Sequence, residues 1–462
     1  MRRGRRLALI GSLVLLALLL AGAWKLRPVT KLAAAVNAQM LCDAAFVSGL
    51  DPAQVWRDQQ LRQPGMDTIA WATRYEVDRE RYEVRVRAAF AHARAQWRAP
   101  YGCVLADDDL PPSPQPPQAA QADAAIAEPA TPALRAALDR AFSEEAERRQ
   151  TKAVIVLDHG RVVAERYAPG YGPQTRLWGH SDTKSVMSTA VGLLVQDGRL
   201  KTADTVPAWR DSGDARATVT IDQLLRMTSG LRPDEVGDDL VNDATRLWFL
   251  SVEPSAFALS RPLVAEPGAD WAYSNVGYTV LSRVVRDAVG GNAQAMDDFL
   301  RERLFGPLGM HSAQLTLDRG GTPVGSGYMF ATARDWARFG QFYLDDGVVD
   351  GQRLLPQGWV AYATTPTLAT GYGAGWWTNR VSEGEIPFWG APWGLPGLPE
   401  DVYFCRGAWG QFVVVVPSRG IVVARFGLTF EGGAGMGQLV RDVLDAIPAD
   451  AASVAAPAGA PQ

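Results

Sequence analysis

The sequence predicts an α+β protein: an antiparallel sheet flanked by helices, with a mostly helical subdomain and a small extra N-terminal unit. Three observations carry this. Strand-like runs at 153–157 and 162–167 flank the turn Asp158-His159-Gly160, and runs at 412–416 and 421–426 flank Pro417-Ser418-Arg419-Gly420, so a hairpin lies near each end of one long segment. The stretch between the hairpins shows mainly helical periodicity. A last helix places Met436, Leu439, Val440, Val443, Leu444 and Ile447 on one face. Strands from both ends of the segment need partners, and one sheet covered by the intervening helices supplies them.

The elements follow in order. Arg2, Arg3, Arg5 and Arg6 precede a nearly unbroken apolar run at 7–24. Residues 1–30 are thus a signal anchor, or a signal peptide cleaved near Ala21-Gly22-Ala23. Arginines stay on the cytoplasmic side, which places the remainder in the bacterial cell envelope. It is held at the periplasmic face of the inner membrane by residues 7–24, or secreted to the periplasm if they are cleaved. Residues 31–105 form a small α/β unit, helical first, with two strand-like stretches between Tyr75 and Arg98. Cys42 and Cys103 bracket it, and in an oxidising compartment they are the expected disulfide, with Cys405 left reduced. Two free buried thiols are the alternative.

Residues 106–131 read as a Pro/Ala-rich linker, carrying Pro111, Pro112, Pro114, Pro116 and Pro117 without apolar periodicity. It ends at Thr131 as N-cap and Pro132 at the first helical position. The large domain spans 132–448, and 449–462 is an Ala/Pro-rich tail expected to be disordered.

Composition narrows the function. Hydrophobic residues make up 47% and charged residues 21%, which fits a globular chain. A net charge of −4, with no basic stripe beyond the extreme N-terminus, excludes a nucleic-acid binder. The histidines His92, His159, His180 and His311 are scattered, so no metal site is expected. Nor does any motif call for a cofactor.

The chemistry sits on three short segments. In Gly179-His180-Ser181-Asp182-Thr183-Lys184, apolar residues from Val186 to Val195 fall at helical spacing and Gly198 follows as a C-cap. Ser181 therefore opens a buried helix, and Lys184, three residues on, shares its face. Desolvation depresses a buried lysine's pKa toward a value useful for a base, and a helix N-terminus favours developing negative charge. Alone, S-x-x-K also fits a capping serine with a surface lysine. G-H-S-D-T also approaches the nucleophile elbow G-x-S-x-G, but has Thr183 for the last glycine and only His311 as downstream base. The second segment is Tyr273-Ser274-Asn275, which can bring a phenol and an amide to one site. The third is Cys405-Arg406-Gly407-Ala408-Trp409-Gly410, whose glycines allow close approach to a strand backbone.

In this order the three segments resemble the serine β-lactamase and penicillin-binding family. The closer likeness is to its class C-related hydrolases: esterases, D-aminopeptidases, D-alanyl-D-alanine carboxypeptidases and 6-aminohexanoate-dimer hydrolases. Leu224-Leu225-Arg226-Met227-Thr228-Ser229-Gly230-Leu231, Pro307-Leu308-Gly309-Met310 and the segment from Ala333 to Gly340 strengthen it. The resemblance spans 134–447 and implies a β-lactamase/transpeptidase-like fold. It implies Ser181 as acylated nucleophile, Lys184 as proton acceptor and Tyr273 as the group that protonates the leaving group and activates water. It further implies that Asn275 orients substrate or Lys184, and that the N–H groups of Ser181 and Ala408 form the oxyanion hole. Cys405-Arg406-Gly407 lies where K-T-G is expected, so the lysine is absent and Arg406 is the alternative anion anchor. Tyr372, Trp376, Trp377, Phe388, Trp389, Trp393, Tyr403, Phe404 and Trp409 are available to wall an acyl pocket or to pack as a loop.

The expected function is an exported serine hydrolase that cleaves an amide or ester of a small-molecule or peptide substrate through an acyl-enzyme. Its membrane contact is made by the N-terminal segment. The alternative is a catalytically silent receptor for cell-wall peptides.

Overall fold

The computed structural model describes residues 2–63, 65–106, 125–143, 149–233, 240–380, 393–429 and 435–448; before residue 24, only residues 10, 12, 13 and 22 are described beyond their backbone. The linker prolines, Phe388, Trp389 and the tail 449–462 lie outside the described residues.

The chain opens with one helix, α1 (Arg2–Cys42), of 41 residues. It crosses the expected boundary at residue 30 without a break, so the N-terminal segment and the small unit share a helix. Residues 24–28 are exposed, and the helix is buried from Thr30 on, apart from Lys31 and a few half-buried positions. Among the described residues no helix is long and apolar enough to cross a membrane. Most of the apolar run at 7–24 falls on side chains outside the description.

Residues 31–42 pack against an antiparallel sheet of four strands in sequence order, β1 (Thr73–Asp78), β2 (Glu83–Ala88), β3 (Ala91–Arg98) and β4 (Gly102–Ala106). Two strand-like stretches were expected between Tyr75 and Arg98, and three strands occupy that region. The third was masked because Ala91, Ala93 and Ala95 are weak strand formers placed on the covered face. Cys42 and Cys103 are bridged, and Cys405 is a free, buried thiol.

In the large domain, α2 (Pro132–Phe142) starts as expected: Thr131 Oγ1 accepts from the Leu134 N–H at 3.1 Å and Pro132 follows at the first position. Just before it, the backbone at 127–130 bonds to Val163 and Glu165, so this end of the expected linker is tied to the sheet. Then come β5 (Arg149–Asp158), β6 (Arg161–Tyr167), β7 (Arg176–Trp178), α3 (Thr183–Gln196), α4 (Asn275–Val289), β8 (Gln314–Leu315), β9 (Met329–Thr332) and α5 (Ala333–Leu344). β10 (Trp377–Thr378), β11 (Tyr403–Gly407), β12 (Gln411–Val416), β13 (Ile421–Thr429) and α6 (Met436–Ala446) follow, and shorter helices such as Asp243–Phe249, Pro254–Leu259 and Ala293–Leu300 fill the stretch between α3 and β8.

The main sheet is antiparallel in the order β10-β11-β12-β13-β5-β6, so the C-terminal strands pair with the N-terminal hairpin as the sequence implies. Residues 151–157 of β5 are all buried, which requires cover on both faces. α5 packs along β5, β12 and β13, while α2 packs against the β5–β6 end and α6 packs on α2. The small unit is not a separate body. Its core continues into Phe249, Val324, Tyr328 and Phe330 of the large domain.

Candidate active site

Ser181 sits in a single turn of 3-10 helix, His180–Asp182, that feeds directly into α3. The sequence places the serine at the α-helix start; the structure gives it a tighter turn first. His180 takes a left-handed φ of 49° to make that turn. Thr183 Oγ1 donates to the His180 carbonyl at 2.6 Å and accepts from the Met329 N–H at 3.1 Å, which ties the turn to β9. The helix N-terminus points its dipole at this spot.

Lys184 is 2% exposed and lies one turn beyond Ser181. Its Nζ is 2.9 Å from Ser181 Oγ, 2.7 Å from Asn275 Oδ1 and 2.5 Å from the Ser326 carbonyl oxygen. Asn275 reaches it because Ser274 caps α4, accepting from the Gly277 N–H at 2.8 Å, which leaves Asn275 in the first turn and Tyr273 just outside. Tyr273 OH is 2.6 Å from Ser181 Oγ, and Lys184 Nζ lies 4.7 Å from the Tyr273 ring centroid. Ser181, Lys184, Tyr273 and Asn275, spread over 95 residues of sequence, thus meet around one hydroxyl.

A hydrogen-bond count shows what this lysine can do. A neutral amine has two N–H donors and one lone pair. The Asn275 and Ser326 oxygens can only accept, so they take the two donors. As an ammonium it donates to all three oxygens, Ser181 Oγ included; as a neutral amine it can instead accept from Ser181 Oγ–H. Around this hydroxyl the geometry therefore suits proton removal.

Gly407 and Ala408 lie opposite the nucleophile turn. The sequence reading gives Gly407 to the substrate; its missing side chain also serves the fold, since a Cβ there would stand 2.2 Å from the Gly179 carbonyl oxygen. The strand backbone and the nucleophile turn can approach only through that glycine. Ala408 follows, exposed, in a turn where Trp409 takes a left-handed φ of 59°. Gln411 holds the turn: its Nε2 donates to the carbonyls of Ala408 at 2.9 Å and Gly427 at 2.7 Å.

His180 is no base. It is buried and stacked on Trp178 at 3.6 Å, with Trp409 edge-on at 4.9 Å. Burial, with the Lys184 charge adding, pushes it down to about 3. Asp182 is fully buried, and neither carboxylate oxygen has a hydrogen-bond partner among the described residues. Burial raises its pKa, partly offset by Lys184. Cys405 is 1% exposed, and burial, reinforced by Asp182, pushes its thiol up, so it is neutral. Arg406 does turn toward the site. Its guanidinium stands over the Trp377 ring at 5.5 Å, and Tyr273 partly offsets the lowering of its pKa by burial. Tyr273 and Trp377 stack at 6.3 Å, and Trp271 and Trp393 pack edge-on at 4.9 Å, so part of the aromatic segment lines this wall. Tyr372, Trp376 and Phe404 are instead fully buried core.

Two contributors escaped sequence reasoning. Ser326 acts through its carbonyl, which no side-chain motif reports; the only trace is its setting between Gly325 and Gly327. Gln411 reads as an ordinary strand residue. Among the described residues no group of His, Cys, Asp and Glu could hold a metal.

Residues 138–438 match the Beta-lactamase family model. A penicillin-binding protein 4 of Amycolatopsis lactamdurans is 30% identical over 293 residues, covering 53% of this chain and 70% of that protein. A 6-aminohexanoate-dimer hydrolase of Paenarthrobacter ureafaciens is 28% identical over 255 residues, covering 50% of this chain and 64% of that protein. Among solved structures, a penicillin-binding protein homologue from Caulobacter crescentus superposes with a TM-score of 0.54 at 19% identity, over 70% of this chain and 99% of that one, a likeness of fold. With its fold, its family match and the serine, lysine and tyrosine at one point, the chain belongs to the beta-lactamase family of serine hydrolases.

Proposed function

We propose that the protein hydrolyses an amide or ester through an acyl-enzyme on Ser181, outside the cytoplasmic membrane. The observation that carries this is the pair of contacts on one hydroxyl: Lys184 Nζ at 2.9 Å and Tyr273 OH at 2.6 Å from Ser181 Oγ. Lys184 takes the Oγ proton as Oγ bonds to the acyl carbon. The carbonyl oxygen becomes an oxyanion received by the N–H groups of Ser181 and Ala408. The intermediate collapses as Tyr273 protonates the departing amine or alkoxide, leaving the acyl group on Ser181. Water then attacks the ester, passing its proton to Tyr273, and Ser181 leaves with a proton returned from Lys184.

The likeness to a 6-aminohexanoate-dimer hydrolase supports amide or ester donors. The neutral Cys405 in place of a lysine weakens the site for substrates bearing a carboxylate beside the scissile bond. Export is supported by the arginine-led apolar run at 7–24 and by the Cys42–Cys103 bridge, a bond favoured in oxidising compartments. The test is labelling by a fluorophosphonate probe together with turnover of a short p-nitrophenyl ester. Both are expected in the wild type and both should vanish in Ser181→Ala. Labelling that persists in that variant overturns the assignment.

A further inference from the structure

We propose that the small N-terminal unit makes a second membrane contact: the end of its sheet beside the exit of α1 rests on the headgroups of an anionic phospholipid bilayer. The contact presupposes the anchored reading of residues 7–24 given above.

The unit has two distinct ends. At one, Cys42 at the end of α1 is bridged to Cys103, which pairs with Trp97. There the Tyr101 and Pro100 carbonyls accept from Leu317 N–H at 2.9 Å and Gln314 Nε2 at 3.0 Å of the large domain. That end is therefore occupied. α1 lies along β2 and β3, over the buried Val84, Val86 and Ala88. The opposite end of the sheet, residues 71–74 and 87–92, thus faces the way α1 leaves the body. It is held together there by the Ala89 N–H donating to the Ala72 carbonyl at 3.0 Å.

This free end carries a distinctive set of side chains. Trp71 is 78% exposed and Phe90 52%, while on the departing helix Trp24 is 77% exposed and Leu26 54%. Arg74, Arg87 and His92 stand directly opposite one another in a single cross-strand row, all exposed. The guanidinium groups of Arg74 and Arg87, so placed, repel unless an anion sits among them. Lys25, Arg27 and Lys31 are exposed on α1. The next row on the same face is different: there Glu76 stands beside Arg85 and Arg94, and Glu83, one such row further, pairs with Arg94 at 3.0 Å. Asp67 is the acidic residue exposed nearest in sequence to Trp71. Cations and exposed aromatics therefore concentrate at the helix exit, the composition of a membrane–water interface.

The lengths agree. The run at 7–24 spans about 27 Å of helix, close to the ~30 Å hydrocarbon core, which sets Trp24 at its outer boundary. From there α1 rises about 8 Å to Val29, where the body begins, and the headgroup layer occupies roughly 5–7 Å on each side. Trp71 and Phe90 then reach headgroup depth, and the arginine row meets lipid phosphate.

The test uses the full chain reconstituted into vesicles, with an environment-sensitive fluorophore on Trp71→Cys and, as reference, on Ala208→Cys, exposed in the large domain. In phosphatidylglycerol-containing vesicles the label at 71 should shift to the blue and the label at 208 should not. The shift should shrink in purely zwitterionic vesicles and in the Arg74→Glu/Arg87→Glu variant. Protein that floats with vesicles while the label at 71 reports water overturns the contact and leaves the anchor standing. Protein that does not float overturns the anchor and the contact with it. A blue shift that appears without lipid and grows with protein concentration assigns the surface to a second copy of the chain and refutes the bilayer.

Discussion

Replacing Asn275 by aspartate tests the role of Lys184 at the atom that sets it. Asn275 is fully buried, and its Oδ1 accepts from Lys184 Nζ at 2.7 Å. Aspartate keeps the shape and the acceptor. Its place in the first turn of α4 also suits a negative charge, so the fold should hold. What changes is the electrostatics: a carboxylate within hydrogen-bond distance favours the ammonium form. An opposite charge this close raises a lysine pKa by about 1–3 units. The proposed mechanism uses deprotonated Lys184, so the acidic limb of kcat/KM should move to higher pH by that amount. At a fixed pH on that limb, activity should fall roughly 10- to 1,000-fold and recover as pH rises. Asn275→Ala separates geometry from charge. It removes a hydrogen bond to a charged or polarised group, about 1.5–3 kcal/mol, so it should cost roughly 10- to 150-fold with little alkaline movement. The assay is kcat/KM for a short p-nitrophenyl ester across pH, which reports the free enzyme's base. A limb that stays in place, or moves to lower pH, in Asn275→Asp refutes a neutral Lys184 as proton acceptor.

Other outcomes follow from the same structure. Replacing Cys42 and Cys103 by serine should lower the unfolding free energy by about 4 kcal/mol, given their separation of 61 residues, as measured by denaturant titration. His180 is held at about 3 in the fold against an ordinary 6.5, so the unfolded chain takes the proton first. Its contribution is complete above about 6.5 and is lost as pH falls toward about 3, so His180→Asn should flatten stability against pH in that window. A chromogenic cephalosporin should turn over with a lower kcat/KM than a p-nitrophenyl ester, because Cys405 is buried and neutral; a better cephalosporin rate, lost in Arg406→Ala, would show that Arg406 supplies the anion site.

Much of this protein is legible in its sequence because its signals are local. The hairpin at His159-Gly160 shows in turn chemistry, and both residues adopt positive φ, 47° and 78°. The cap at Thr131-Pro132 is written in two adjacent residues. S-x-x-K and Y-x-N fix which side chains meet, since helical spacing and an N-cap aim them. Other features depend on distant parts of the chain. Gly407 reads as room for substrate, and its second reason, the Gly179 carbonyl that a Cβ would meet, comes from a distant segment. Ser326 contributes a backbone oxygen, and a backbone atom has no residue signature. The unbroken α1 was hidden by a change of pattern within one helix, from a continuous apolar run to a face buried on the small sheet. Arg406 could not be aimed from sequence, because the stacking of Trp377 and Tyr273 decides where its guanidinium lies.

The covalent intermediate itself can be trapped. The protein is mixed with a slowly turned-over p-nitrophenyl ester, quenched in acid during steady state, and its intact mass and peptide map are recorded. The mechanism predicts one acyl group added, carried by the peptide containing Ser181, with an initial burst of p-nitrophenol equal to the enzyme concentration. Turnover with neither adduct nor burst in the wild type, or an adduct that persists at full yield in Ser181→Ala, would contradict it.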